Sequence, residues 1–153
     1  MFKTNTVKWL AAVLLAFCIL LPQAGLAQAQ QDPHAPSALR PVQVFDVTAG
    51  KVVKTVENNV KFQRIAGEWL RSVSGPAPQT KIGDKCGYVF RLPLATPSEV
   101  KVGDHTVTAA DLFMFYCPQK PQLLLVFDQN RKPYLLQFTA DIKPFLKTMN
   151  LSQ

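Results

Sequence analysis

The cysteines are the residues whose chemistry follows most directly from their number and position. Three occur in the chain, at Cys18, Cys86 and Cys117. Cys18 lies in an apolar N-terminal run, which leaves an even pair in the remaining sequence. In an oxidising compartment such a pair is normally bonded. The sequence therefore predicts a Cys86–Cys117 disulfide, which would close a loop of about 30 residues.

The segments beside these cysteines suggest how their strands pair. With the two cysteines placed opposite one another in antiparallel strands, two aromatic pairs come together: Tyr88 with Phe115 and Phe90 with Phe113. Aromatic cross-strand pairs stabilise a sheet by about 0.2–1 kcal/mol each. Phe113 and Phe115 then share one strand face. We interpret them mainly as core residues rather than as a platform for a sugar or a peptide.

Other chemistry of the cysteines is the alternative, with one of them acting as a nucleophile or a metal ligand. The two histidines, His34 and His105, lie in a proline-containing segment and beside a predicted turn, so the sequence places neither next to a cysteine. Their spacing is not that of zinc ligands. Serine-hydrolase, zinc-protease, phosphate-loop and calcium-loop motifs are also missing from the sequence. We predict no metal or cofactor and single out no catalytic residue.

Three lysines form the candidate partner-binding site. They flank the predicted disulfide in sequence: Lys81, Lys85 and Lys120. The disulfide would draw their segments to one end of the sheet, and the only acid in these stretches is Asp84. Such a cluster attracts anionic surfaces, although exposed lysines also serve solubility. Arg131 and Lys132, on a predicted hairpin tip, provide an internal comparison.

The N-terminal residues have the features of a cleavable secretory signal peptide. Lys3 and Lys8 flank the start of the chain, and residues 9–21 are thirteen consecutive apolar residues. That run is shorter than the roughly 20 residues that span a bilayer. Ala27-Gln28-Ala29 then offers the small-x-small pattern that signal peptidases cleave. The sequence predicts residues 1–29 as a signal peptide and export to the periplasm, the cell envelope or the exterior of a bacterial cell, with an uncleaved anchor as the alternative.

Cleavage after Ala29 leaves 124 residues, which is enough for one domain. Residues 30–41 contain three prolines and little that can pack, so we predict a flexible leader followed by a single secreted domain at 42–153. Removing Lys3 and Lys8 leaves 15 basic and 10 acidic residues, a net charge of +5. Outside the cytoplasm this charge favours an anionic envelope component or an acidic protein over nucleic acid.

One segment has clear helical periodicity. Its apolar residues recur at intervals of three and four: Phe62, Ile65, Ala66, Trp69, Leu70 and Val73. Asn58 or Asn59 can cap the start, and Gly75-Pro76 can end the helix. Gly67 is unfavourable inside a helix, so we interpret it as a point of close approach to the sheet. The pattern predicts one long amphipathic helix.

The remaining pattern predicts strands and a final helix. Residues 42–47 and 52–56 predict a hairpin. A meander follows, from short runs separated by turn-forming residues: 87–94, 99–102, 106–108, 112–117, 122–127 and 134–138. The apolar run 123–127 is predicted to be a central strand buried on both faces. Apolar residues after Asp141, a candidate cap, predict a short C-terminal helix.

Together these elements predict an α+β fold, in which a long amphipathic helix packs on an antiparallel sheet of hairpin plus meander. For function, the sequence favours a secreted or envelope-associated module that binds a partner without catalysis, an inhibitor being one form. The alternative is a small extracytoplasmic hydrolase whose site is assembled from dispersed residues. The ligand is not specified by any motif.

Overall fold

A computed structural model describes residues 39–78 and 86–151. In these residues one antiparallel sheet of seven strands is combined with two helices. The elements, in chain order, are β1 (Val42–Asp46), β2 (Lys51–Val56), α1 (Val60–Arg71), β3 (Val73–Pro76), β4 (Tyr88–Val102), β5 (His105–Tyr116), β6 (Leu123–Phe127), β7 (Pro133–Phe138) and α2 (Lys143–Thr148). The predicted signal peptide and most of the predicted leader lie outside the described residues and stay predictions.

The strands follow the order β2-β1-β4-β5-β6-β7-β3, and every neighbouring pair is antiparallel. Three adjacent pairs, β1–β2, β4–β5 and β6–β7, are consecutive hairpins, and β5–β6 continues the meander. The predicted antiparallel combination of hairpin and meander is therefore confirmed. The α+β assignment agrees with this arrangement.

Two long strands replace four of the short runs that the sequence predicts. β4 and β5 pair from Tyr88 with Tyr116 to Val102 with His105, with an irregularity between Pro93 and Ser98. The turn-forming residues in that interval suggested a break. They form a bulge instead, which accommodates a proline because its residues do not all pair with the partner strand.

The prediction of one long helix is wrong. α1 has 12 residues and α2 has six. Val73 continues the apolar period of α1, but it lies in β3, which pairs with β7. Ser72 lies where the chain passes from α1 to β3. Its backbone N–H donates to the Glu68 carbonyl of the helix, and its own carbonyl accepts from the Thr139 N–H. The periodicity therefore runs two residues beyond the end of the helix, into a strand.

The core lies between the two helices and one face of the sheet, which we call the inner face. α1 contributes a buried stripe: Phe62, Ile65, Ala66 and Trp69. Phe145 of α2 lies at the centre, with its ring centroid 4.8 Å from Trp69 and 5.0 Å from Phe90 of β4. Both helices therefore cover the same face of the sheet.

The two asparagines before α1 have different tasks. Asn59 caps the helix, accepting from the backbone N–H groups of Lys61 and Phe62. Asn58 is 5% exposed, and its amide nitrogen donates to the carbonyl oxygens of Arg40 and Pro93 at 3.0 and 2.8 Å. Asn58 thus ties the start of α1 to β4 and to the residues that precede β1.

The C-terminal helix is confirmed as a short element. The Asp141 carboxylate accepts from the Lys143 N–H at 2.9 Å, and Pro144 lies in the first turn, where its missing N–H costs nothing. The Lys54 ammonium of β2 donates to the carbonyl of Met149 at the other end, at 2.7 Å. The bond from Lys54 thus fastens the C-terminal end of α2 to β2.

Gly67 does not approach the sheet, contrary to the interpretation from sequence. A Cβ at this position would come within 3.2 Å of the Arg71 guanidinium on the same helix, and no sheet atom is among its near neighbours. Its small size is therefore not required by packing between α1 and the sheet.

Candidate functional site

The predicted disulfide is confirmed. Cys86 and Cys117 are bonded, with their Cα atoms 5.6 Å apart. It joins the residue two before β4 to the residue directly after β5, so it closes one end of the longest strand pair. A disulfide is the expected state of such a pair in an oxidising compartment, so it fits an exported protein.

The predicted register beside the disulfide is wrong by one residue. Tyr88 pairs with Tyr116, and Phe90 pairs with Met114. The reason is Gly87, which has a φ of +72° and therefore interrupts the extended backbone between Cys86 and the first paired residue of β4. Pairing cannot be counted outward from the cysteines across this kink.

The one-residue shift moves two aromatic side chains to the other side of the sheet. Phe90 is fully buried on the inner face, whereas Phe113 and Phe115 are only half-buried and point away from the helices. The interpretation of Phe113 and Phe115 as core residues is therefore wrong. A one-residue slip in register always exchanges the two faces of a strand.

The predicted lysine site is only partly described. Lys120 is exposed in the turn after β5, where its backbone N–H donates to the Cys117 carbonyl at 3.1 Å. Lys81 and Lys85 lie outside the described residues, as does His34. His105 is exposed at the start of β5. Grouping of the three lysines at one rim stays a prediction.

The basic hairpin tip is well ordered by its own turn. Asp128 accepts from the backbone N–H groups of Asn130 and Lys132, each at 2.8 Å. The Lys132 ammonium lies 5.2 Å from the centroid of the Tyr134 ring. Arg131 and Lys132 are both exposed between β6 and β7.

The side of the sheet that faces away from both helices, which we call the outer face, is largely apolar. Strand register places one row of apolar side chains side by side across five strands: Val52, Phe45, Val89, Phe115 and Leu123. Phe45 is 37% exposed and Val52 is 48% exposed. The row thus runs from the open edge of β2 towards the buried end of β6.

A second row on the same face lies two residues further along the strands and mixes polar and apolar side chains: Gln43, Arg91, Phe113, Leu125 and Leu135. Phe127 adjoins it, 38% exposed, with its ring edge-on to Phe113 at 5.6 Å. β6 is therefore not buried on both faces as predicted: Leu124 and Val126 are buried on the inner face, whereas Leu125 is half-buried and Phe127 is exposed on the outer face.

A groove opens on the outer face above Val89. Its volume is about 270 Å³, and its lining is mostly apolar: Gln43, Phe45, Val52, Val89, Arg91 and Phe113. The groove exists because valine, a small side chain, is flanked by larger ones in both rows. It can receive an apolar group from outside.

A charged cluster borders this groove. Asp111 accepts from Arg91 Nε at 3.0 Å and from Arg40 at 2.9 Å, one oxygen to each guanidinium. Arg91 also donates to the Gln43 side chain at 3.4 Å. Two guanidinium groups share one carboxylate, so the cluster carries one surplus positive charge.

Sequence reasoning missed the outer face as a candidate site. The signal was the run 123–127, in which consecutive residues are all apolar. From the sequence alone, that run predicts a strand buried on both faces. The same pattern arises when one face is covered by helices and the other is available to a partner.

Two features are absent from the part of the chain that the structure describes. No three His, Cys, Asp or Glu side chains come together there as a potential metal site. None of the described helices is long and apolar enough to cross a bilayer.

Comparison of the chain with models of protein families, with curated proteins and with solved structures finds no match. A proposal for its function therefore depends on the residues and geometry described above.

Proposed function

We propose that this chain is an exported, non-catalytic module that binds an anionic component of the cell envelope through the outer face of its sheet. The observation that carries the proposal is the apolar character of this face. A row of apolar side chains crosses five strands, and Phe45, Val52 and Phe127 on the same face are each more than a third exposed. Contiguous exposed apolar surface with a polar border is typical of interaction sites.

The free energy for binding comes from removing this surface from water. Each Å² of apolar surface that is buried contributes about 25 cal/mol. Phe45, Val52 and Phe127 still expose large parts of their side chains, so they can contribute on contact with a partner. The strands that carry these side chains are already held in place by pairing with their neighbours. They do not need to be ordered when the partner binds, and this lowers the entropic cost of binding.

The anionic nature of the partner follows from charge. The Arg40–Asp111–Arg91 cluster has one more cation than anion at the groove. Removal of the predicted signal peptide leaves a net charge of +5. The lysines that flank the disulfide in sequence, Lys81, Lys85 and Lys120, would add further cations at the cysteine end of the same sheet.

Sedimentation of the purified mature domain with envelope membranes of the producing cell tests this proposal. We expect the wild-type domain to sediment with the membranes and to be released by salt. The double variant Phe45→Ser/Phe127→Ser is expected to remain in the supernatant, because both substitutions remove exposed apolar surface from the outer face.

Val60→Ser is the matched control, since Val60 is 84% exposed on α1, in the layer on the opposite side of the sheet. This variant should sediment like the wild type. If the wild-type domain does not associate with any envelope fraction, or if Val60→Ser is as defective as the double variant, the proposal is wrong.

A further inference from the structure

We propose that the outer face docks on the surface of an anionic lipid bilayer, with phenylalanine side chains entering the interfacial region and arginines contacting lipid phosphates. This inference rests on the proposed function and narrows its partner to a lipid. The chain would lie on the membrane rather than span it.

The apolar part of the surface has the residues that suit a bilayer interface. Of the five large apolar side chains that are exposed in the described residues, three lie on the outer face, Phe45, Val52 and Phe127; the other two are Val53 and Val60. They belong to three strands, β1, β2 and β6; Phe45 and Val52 line the groove, and Phe127 lies beside it against Phe113. Apolar side chains that enter the boundary between headgroups and acyl chains are typical of surfaces that lie on a bilayer.

The acids near this face differ in what their carboxylates contact. Asp46 accepts from the backbone N–H groups of Thr48 and Ala49, both at 2.8 Å, so its carboxylate serves the β1–β2 turn. Asp128 has the same task in the β6–β7 turn. Of the acids in the described residues, Asp111 is the one that pairs with these arginines, and it is shared between Arg40 and Arg91, so this cluster keeps one surplus positive charge.

Arginine is well suited to the phosphate of a lipid headgroup. Its planar guanidinium can form two parallel hydrogen bonds to phosphate oxygens. Arg40 uses one nitrogen on Asp111 and Arg91 uses two, on Asp111 and Gln43. Each guanidinium thus keeps N–H groups for a phosphate.

The groove offers apolar contact and a guanidinium side by side. Its lining contains Phe45, Val52, Val89 and Phe113 around a volume of about 270 Å³, with Arg91 in the wall. An apolar chain attached to an anionic head matches this combination of an apolar pocket and an adjacent guanidinium. Phospholipids have that chemistry, and a bilayer presents it over a whole surface.

Vesicle binding tests the inference with defined lipids. The purified mature domain is sedimented with vesicles of phosphatidylglycerol and phosphatidylethanolamine, and with vesicles of phosphatidylcholine alone, over a salt series. We expect binding to the anionic vesicles that weakens as salt rises, and little binding to the neutral ones. Phe45→Ser/Phe127→Ser should weaken binding at least about tenfold, while Val60→Ser should leave it unchanged.

A test variant and a matched control measure the contribution of charge to vesicle binding. Arg40→Gln removes the surplus charge and leaves the Arg91–Asp111 pair in place, so we expect affinity for anionic vesicles to fall about fivefold. Lys147→Gln removes a cation that is also exposed, from α2 in the opposite layer, and should have little effect. Thermal unfolding of every variant confirms that binding is compared between folded proteins.

Equal binding to neutral and anionic vesicles, or no binding to either, overturns the inference. In the second case, envelope membranes digested with protease distinguish the two proposals. If the domain binds native membranes but neither digested membranes nor pure lipid vesicles, its partner is a protein, and the proposed function survives while the lipid inference fails. If it binds no membrane at all, both fail.

Discussion

Gly87 and Gly67 show that the same residue type has opposite significance at two positions. Gly87 has a φ of +72°, and a Cβ there would overlap the carbonyl oxygen of Tyr116 on the neighbouring strand. Gly67 lies in α1 with ordinary helical geometry, and a Cβ there would meet only the Arg71 side chain, which can move. Backbone conformation and contact, rather than glycine itself, decide which position requires it.

The two glycines provide the first prediction. Gly87→Ala should lower the free energy of unfolding by about 2–4 kcal/mol, because it combines an unfavourable φ with a backbone clash. Gly67→Ala should raise it by about 0.5–1 kcal/mol through helix propensity. Urea denaturation measures both. A stable Gly87→Ala variant would contradict the described geometry of the Cys86 end of β4.

The disulfide is the second feature at this scale. Cys86→Ser should lower the free energy of unfolding by about 2–5 kcal/mol, as is usual when a small exported domain loses a disulfide. Thiol titration of the exported wild-type protein, denatured without reductant, should detect no free thiol. Two reactive thiols would show that the bond does not form in the cell.

At the scale of elements, the sequence predicts the type of each helix or strand better than the residues at which it begins and ends. Periodicity located α1, and turn-forming residues located the hairpins. The sequence did not predict that β4 continues past Pro93 to Val102, because a bulge and a turn contain the same residue types. Nor did it predict β3, since Val73 fits both the helical period of α1 and a strand. Tertiary pairing decides these cases.

The link between α1 and β4 leads to a third prediction. Asn58 donates to the Arg40 and Pro93 carbonyls and accepts from the Gln63 side chain, so its removal deletes three hydrogen bonds, although the Pro93 carbonyl keeps the bond from the Gln63 amide. We expect Asn58→Ala to cost about 2–3 kcal/mol. Asn59→Ala, which removes only a helix cap, should cost about 1 kcal/mol. Similar losses for the two variants would mean that the Asn58 network contributes no more than a cap does.

For the whole molecule, the candidate site depends on which face of the sheet the helices cover. The sequence identifies apolar residues in the strands, but it does not state how many helices are available to cover them. The two short helices cover the inner face, and the outer row from Val52 to Leu123 keeps its apolar character. The outer face could therefore be recognised only after strand register and helix placement were known.

The lysines beside the disulfide provide a prediction at this scale. If Lys81, Lys85 and Lys120 border the docking surface, the variant Lys81→Glu/Lys85→Glu/Lys120→Glu should lose more salt-sensitive binding to anionic vesicles than Arg131→Glu/Lys132→Glu does. The reason is local concentration of charge at one rim. Equal losses would mean that binding follows net charge alone and not a defined rim.

The most direct test of the central claim, that the outer face is the surface that binds, is hydroxyl-radical footprinting of the wild-type domain with and without envelope membranes. Oxidation of each side chain is read by mass spectrometry, so no substitution is needed. We predict that Phe45 and Phe127 become protected when the domain is bound, while Val60 on α1 is oxidised as in the free protein. Protection of Val60 with Phe45 and Phe127 still oxidised would contradict the claim.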